Sequence, residues 1–110
     1  MSFYESVNEW QSLATKALTA AQAIALLEEE MREWTRIEIQ ALIKTTIPGT
    51  ERSYTETSAE KEVKNSETYR DYKRKIMRLR GEQGEAQIEA DALYLKLEYS
   101  IYKARTLKRA

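Results

Sequence analysis

The sequence predicts an all-α protein, a long antiparallel helical hairpin of coiled-coil character, on three observations. An apolar ladder with heptad spacing runs on each side of the only proline, a polar stretch follows that proline, and a helix start signal comes directly after it. Steps of three and four from Phe3 land on Phe3, Ser6, Trp10, Leu13, Ala17, Ala20, Ile24, Leu27, Met31, Trp34, Glu38 and Ala41, all apolar except Ser6 and Glu38. The same steps from Tyr69 land on Tyr69, Tyr72, Ile76, Leu79, Gln83, Ala86, Ala90, Leu93, Leu97, Ser100, Ala104 and Leu107, all apolar except Gln83 and Ser100. Such spacing keeps one face of a long helix against a partner helix.

The first helix is expected over residues 3–46, since nothing interrupts it before Ile47, Pro48 and Gly49. Proline stops a helix and glycine lets the chain turn, which makes 47–57 the loop. Thr57 with Glu60 three residues on fits a capping box, with Ser58 as the fallback cap. A second helix over 58–108 then completes a single hairpin domain spanning 1–110. Gly81 and Gly84 are its weak points, each costing about 1 kcal/mol relative to alanine. Folding about residue 52 pairs positions whose numbers sum to about 104, placing Ala17, Ala20, Ala21 and Ala23 opposite Gly81, Gly84 and Ala86. Either the two backbones approach closely there, or the helix breaks at 81–84.

Two helices shield only one side of each other, so a chain of 110 residues built this way needs partners. A second apolar stripe runs along each helix: Val7, Ala14, Leu18, Ala21 and Ala25 on the first, Ile88, Leu95, Tyr99 and Tyr102 on the second. Exposed apolar surface of this extent marks an interface. It predicts self-association into an oligomeric helical bundle or ring through Leu93, Leu95, Tyr99, Tyr102 and Leu18, with the segment 93–102 as the main contact.

Composition narrows the function. The chain is 42% hydrophobic and 33% charged, which fits neither a disordered nor a membrane-embedded chain. The apolar run Ala17–Leu27 ends in Glu28, Glu29 and Glu30 and reads as helix interior rather than a leader or a membrane span. No cysteine and no histidine are present, so thiolate chemistry, disulfides, the usual zinc site and the commonest general base are all missing. The acidic run Glu28, Glu29, Glu30, Glu33 and Glu38 lacks the histidines of a helical di-iron site and reads as a solvated face. The serines have no imidazole to activate them, and the scattered glycines form no phosphate loop. No catalytic residue, metal or cofactor is expected.

Eighteen basic and eighteen acidic residues cancel, so any polyanion must be met by a local patch. Arg70, Lys73, Arg74, Lys75, Arg78 and Arg80 form one, with Tyr69 and Tyr72 as candidate stacking residues. The competing reading sets Lys73–Arg78 against Glu28–Glu33 as pairing between helices, with both tyrosines in the packed seam. Lys44, Arg52 and Lys61, near the hairpin tip, lack such counter-charges and extend the track. The cluster Lys103, Arg105, Lys108 and Arg109 is expected beside Glu5 and Glu9, where it also complements its own helix dipole.

The run Ser58-Ala-Glu-Lys-Glu-Val-Lys-Asn-Ser-Glu-Thr-Tyr69 and the closing Ala104-Arg105 resemble small helical proteins of bacteriophages. In its order of elements the chain resembles the phage recombination mediators of the UvsY type. That resemblance implies an oligomeric, non-catalytic protein that binds single-stranded DNA and helps a recombinase load onto coated strands, in the cytoplasm of a bacterial host cell. It implies DNA contacts at Lys44, Arg52 and Lys61, to which the residues add Arg70, Lys73 and Arg74. The alternative is a phage interaction module that binds and inhibits or redirects a host protein, suggested by Trp10, Trp34 and the C-terminal tyrosines. A virion assembly component is a third reading. No membrane partner is expected.

Overall fold

The computed structural model describes residues 2–109, and of Lys108 and Arg109 the backbone alone. The chain is all-helical: α1 covers Phe3–Ile43, α2 Glu56–Lys64 and α3 Glu67–Arg109. Among the described residues there is no strand, only an isolated antiparallel bridge between Thr46 and Ser53. The helical class and the hairpin pattern of the sequence agree with this architecture. Packing divides the chain into two compact units, a terminal unit of Met1–Gln22 with Leu79–Ala110 and a middle unit of Ala23–Arg78.

In the terminal unit, α1 is opened by Ser2, whose hydroxyl accepts from the Glu5 amide (3.1 Å) while the Glu5 carboxylate accepts from the Ser2 amide (3.4 Å). The two helices run antiparallel. Phe3 and Ser6 share a groove with Leu97 and Ser100, and Trp10 packs on Tyr94 with ring centroids 5.9 Å apart. The core is Ala17, Ala20, Ala86, Ala90 and Leu97. Small side chains at seam positions allow helices to lie close, but they bury little apolar area.

Gly81 and Gly84 lie inside uninterrupted α3. A methyl group built on either would meet nothing within 4 Å. The helix does not break here, and no opposing atom occupies the space a side chain at either glycine would need. Both glycines simply leave helix propensity unused. Gly81→Ala and Gly84→Ala should each stabilise the protein by about 0.5–1 kcal/mol, read as a higher midpoint in urea unfolding.

In the middle unit, α1 ends at Ile43, three residues before the expected 46. Thr45, Thr46 and Ile47 are β-branched, and Ile47 precedes proline, which disfavours helical backbone. Thr45 bends, its amide donating to the Leu42 carbonyl (2.8 Å), and the chain then extends through Thr46 and Ile47. The Ile47 amide donates to the Arg52 carbonyl (2.8 Å) and the Tyr54 amide to the Thr45 carbonyl (3.2 Å). Between these bonds, Ile47-Pro48-Gly49-Thr50 makes a type II turn: Gly49 has φ +78°, and the Thr50 amide donates to the Ile47 carbonyl at 3.1 Å.

Thr55, not Thr57, caps α2. Its hydroxyl accepts from the Ser58 amide (3.1 Å), and the Ser58 hydroxyl accepts from the Thr55 amide (2.9 Å). The capping box therefore closes two residues earlier than expected, with serine where glutamate was anticipated. The expected second helix is also interrupted, at Asn65 and Ser66. Ser66 turns its hydroxyl to the Val63 carbonyl (2.6 Å) and accepts from the Tyr69 amide (3.3 Å), so it ends one helix and caps the next. The core here is Ile24, Ala59, Val63 and Ile76, and Trp34 packs on Tyr72 at 5.9 Å.

Candidate functional site

The predicted nucleic-acid residues are all exposed and all belong to the middle unit, on three separate elements. Lys44 and Arg52 sit in the connection after α1, where the Arg52 backbone is held by the bridge hydrogen bond from Ile47. Lys61 lies in α2, beside the Glu60–Lys64 ion pair of 2.6 Å. Arg70, Lys73 and Arg74 lie in α3.

At about 100° per residue, the half-buried or buried Tyr69, Tyr72 and Ile76 define the packed side of α3. Arg70, Arg74 and Arg78 recur at steps of four on the opposite side, and Lys73 and Lys75 flank them. Of the residues expected to pair between Lys73–Arg78 and Glu28–Glu33, Arg74 and Glu33 are each bonded along their own helix. Arg74 bonds Asp71 on its own helix (2.9 Å), and the Lys73 ammonium stands 5.3 Å from the centre of the Tyr69 ring. Glu33 likewise pairs along α1, with Arg36 at 2.6 Å. That hydrogen bond and charge hold the Glu33 carboxyl below its ordinary pKa and raise that of Arg36. Hydrogen bonding to Glu60 raises that of Lys64 in the same way.

Tyr69 and Tyr72 follow the packing alternative. Tyr72 is engaged with Trp34, and Tyr69 lies half-buried along a groove with Met31, Thr35 and Ile39 of α1 and Glu60 and Lys64 of α2. The sequence reading missed this groove because it did not separate α2 from α3. Ser66 followed by Glu67 was the available signal.

The predicted self-association residues belong to the terminal unit. Leu95, Tyr99 and Tyr102 of α3 are 64%, 65% and 69% exposed, and Leu18 of α1 is 60% exposed. Leu93 differs: it lies half-buried in the seam toward α1, in a groove with Ser6, Glu9 and Leu13. The α1 stripe is largely covered too, since Val7, Ala14 and Ala21 are half-buried. In this unit the longer exposed apolar ladder is therefore on α3, with Leu18 left exposed on α1.

Of the C-terminal basic cluster, only Lys103 and Arg105 have described side chains, and neither is paired with Glu5 or Glu9. Glu5 serves the Ser2 cap, Lys103 and Arg105 are exposed, and the side chains of Lys108 and Arg109 lie outside the described residues.

Among the described residues no group of three acidic side chains is placed to hold a metal ion, and no helix is long and apolar enough to cross a membrane. Comparison with protein-family models, with curated proteins and with solved structures gives no match.

Proposed function

We propose that this protein is a non-enzymatic, self-associating accessory protein for single-stranded DNA, with recombinase loading as the task its layout suggests. The observation that carries the reading is the strip Arg70, Arg74 and Arg78, exposed on the side of α3 away from its packed seam. Three guanidiniums at steps of four stand about 6 Å apart along the helix, close to the spacing of successive phosphates on one extended strand. Guanidinium groups bind phosphate in a bidentate fork. With Tyr69 and Tyr72 engaged in packing, the contact is to phosphates rather than to bases, and so is indifferent to sequence.

Fluorescence anisotropy with a labelled single-stranded oligonucleotide tests this. Three phosphate contacts give an affinity that falls with salt at a log–log slope of about −2, and the triple variant R70A/R74A/R78A should remove most of that slope. Absence of binding at low salt, or unchanged binding by the triple variant, sinks the reading. Preference for a matching duplex sinks its single-strand part.

The exposed tyrosines of α3 favour a second reading, a module that docks on a host protein. Nuclease-resistant capture of one bacterial protein, without oligonucleotide binding, would select it.

A further inference from the structure

The helix α3 carries two apolar ladders on opposite sides. The first, through Ala86, Ala90, Leu93 and Leu97, faces α1. The second runs through Ile88, Ala92, Leu95, Tyr99, Tyr102 and Thr106, again at steps of four and three, and every one of these residues is exposed. Ile88 alone is 71% exposed. Heptad steps of this kind are the seam of a second coiled coil on a helix that is already formed. Pairing along it need not repeat the cost of helix nucleation. Leu95, Tyr99 and Tyr102 already line a shallow groove with Glu98 and Arg105, the shape that receives knobs from a facing helix.

We propose that this seam pairs with the same seam of a second copy, parallel and in register, over residues 88–106. The inference rests on the self-association half of the reading above and requires no DNA. Charge selects the occupant and its direction.

With Leu95 and Tyr102 as d residues and Ala92 and Tyr99 as a residues, the flanking g positions are Asp91 and Glu98, and the facing e positions are Lys96 and Lys103. A parallel, in-register pair joins each g residue to the e residue five places further on in the other copy. Asp91 then meets Lys96 of the second copy, and Glu98 meets Lys103. By symmetry each contact occurs twice, and none joins like charges. Gln87 bonds one Asp91 oxygen at 2.9 Å and leaves the other for this contact.

An antiparallel pair centred on the same residues also gains contacts, Asp91 with Arg105 and Glu89 with Lys103. It sets Glu98 against its own copy and Lys96 against its own copy, which the parallel pair avoids. Glu85, a step before Ile88, would face its own copy in the parallel seam and ends it at Ile88.

Light scattering on a sizing column, without DNA, reads the assembly. The unaltered chain should run as a dimer. Glu98→Lys, and separately Lys103→Glu, should each raise the dimer dissociation constant about tenfold by turning two attractive pairs into repulsive ones. The double variant E98K/K103E should restore it. Both sites are exposed, so unchanged helicity by circular dichroism separates lost pairing from lost folding.

Direction is read by oxidation, since the chain has no cysteine. Leu95→Cys should form a covalent dimer, and a mixture of Leu95→Cys and Tyr99→Cys chains should give mainly like-with-like products. A monomer at all concentrations, failure of the double variant to restore pairing, or mainly mixed products overturns the proposal. Dimerisation with no oligonucleotide binding sinks the DNA reading and leaves the seam standing. Oligonucleotide binding by a strictly monomeric chain does the reverse.

Discussion

Placing aspartate at Ala90 should unfold the terminal unit. Ala90 is 1% exposed, on the ladder that faces α1, and every other residue of that core except Leu97 is also alanine. A carboxylate there would lose its water and find no cation built to receive it. Leaving a charge buried and unpaired costs about 3–5 kcal/mol, a large share of the 5–15 kcal/mol that stabilises a typical domain. Ala104→Asp, on the same ladder but past the residues that α1 covers, places the same charge in solvent and should change folding stability by less than about 0.5 kcal/mol. Amide hydrogen exchange checks the pair: protection over 2–22 and 79–109 should vanish in the first variant and persist in the second. Equal protection in both would mean that α3 does not bury Ala90.

The second large effect is expected in the middle unit at Ile76. This side chain is 5% exposed and shares its core with Ile24, Ala59 and Val63. Truncation to alanine removes buried methylenes and leaves a cavity, at about 2–4 kcal/mol. The neighbouring Met77 is 73% exposed, and its truncation should stay within about 0.5 kcal/mol of the unaltered protein. Thermal melts followed by circular dichroism, with the Trp34 fluorescence as a local reporter, distinguish the two. A midpoint for Ile76→Ala as high as that of Met77→Ala would remove Ile76 from the core.

The side of each helix that packs was legible in the sequence. Counting from Tyr69, the ladder as far as Leu97 holds the packed positions of α3, and from Phe3 the α1 ladder performs nearly as well. Heptad spacing reports a property summed over many residues, so single departures do not mislead it. The register was legible too, since Trp10 with Tyr94 and Trp34 with Tyr72 both fall near the expected sum.

The ladder failed at Ser100, Ala104 and Leu107, which are exposed. Phe3, where α1 begins, shares its groove with Ser100, so α1 offers nothing for the later residues to pack on. What stayed hidden depends on side-chain hydrogen bonds rather than on periodicity. The break at Asn65 and Ser66 needs no glycine or proline, because a serine hydroxyl competes for the backbone. The shift of the α2 cap to Thr55 turns on one serine replacing glutamate as its reciprocal partner.

For the candidate surfaces, the sequence identified the charged and aromatic residues but not the sides they occupy. Arg70, Arg74 and Arg78 could be read as pairing residues until the packed side of α3 was known. Leu93 and Leu95, only two apart, end up in different settings for the same reason.

The alanine-lined core of the terminal unit also sets how that unit responds to heat and to denaturant. Methyl groups expose little hydrocarbon when they separate, so the folded and unfolded chains differ little in heat capacity. Its stability curve should be correspondingly shallow, and its melting should spread over a broad interval rather than a sharp step.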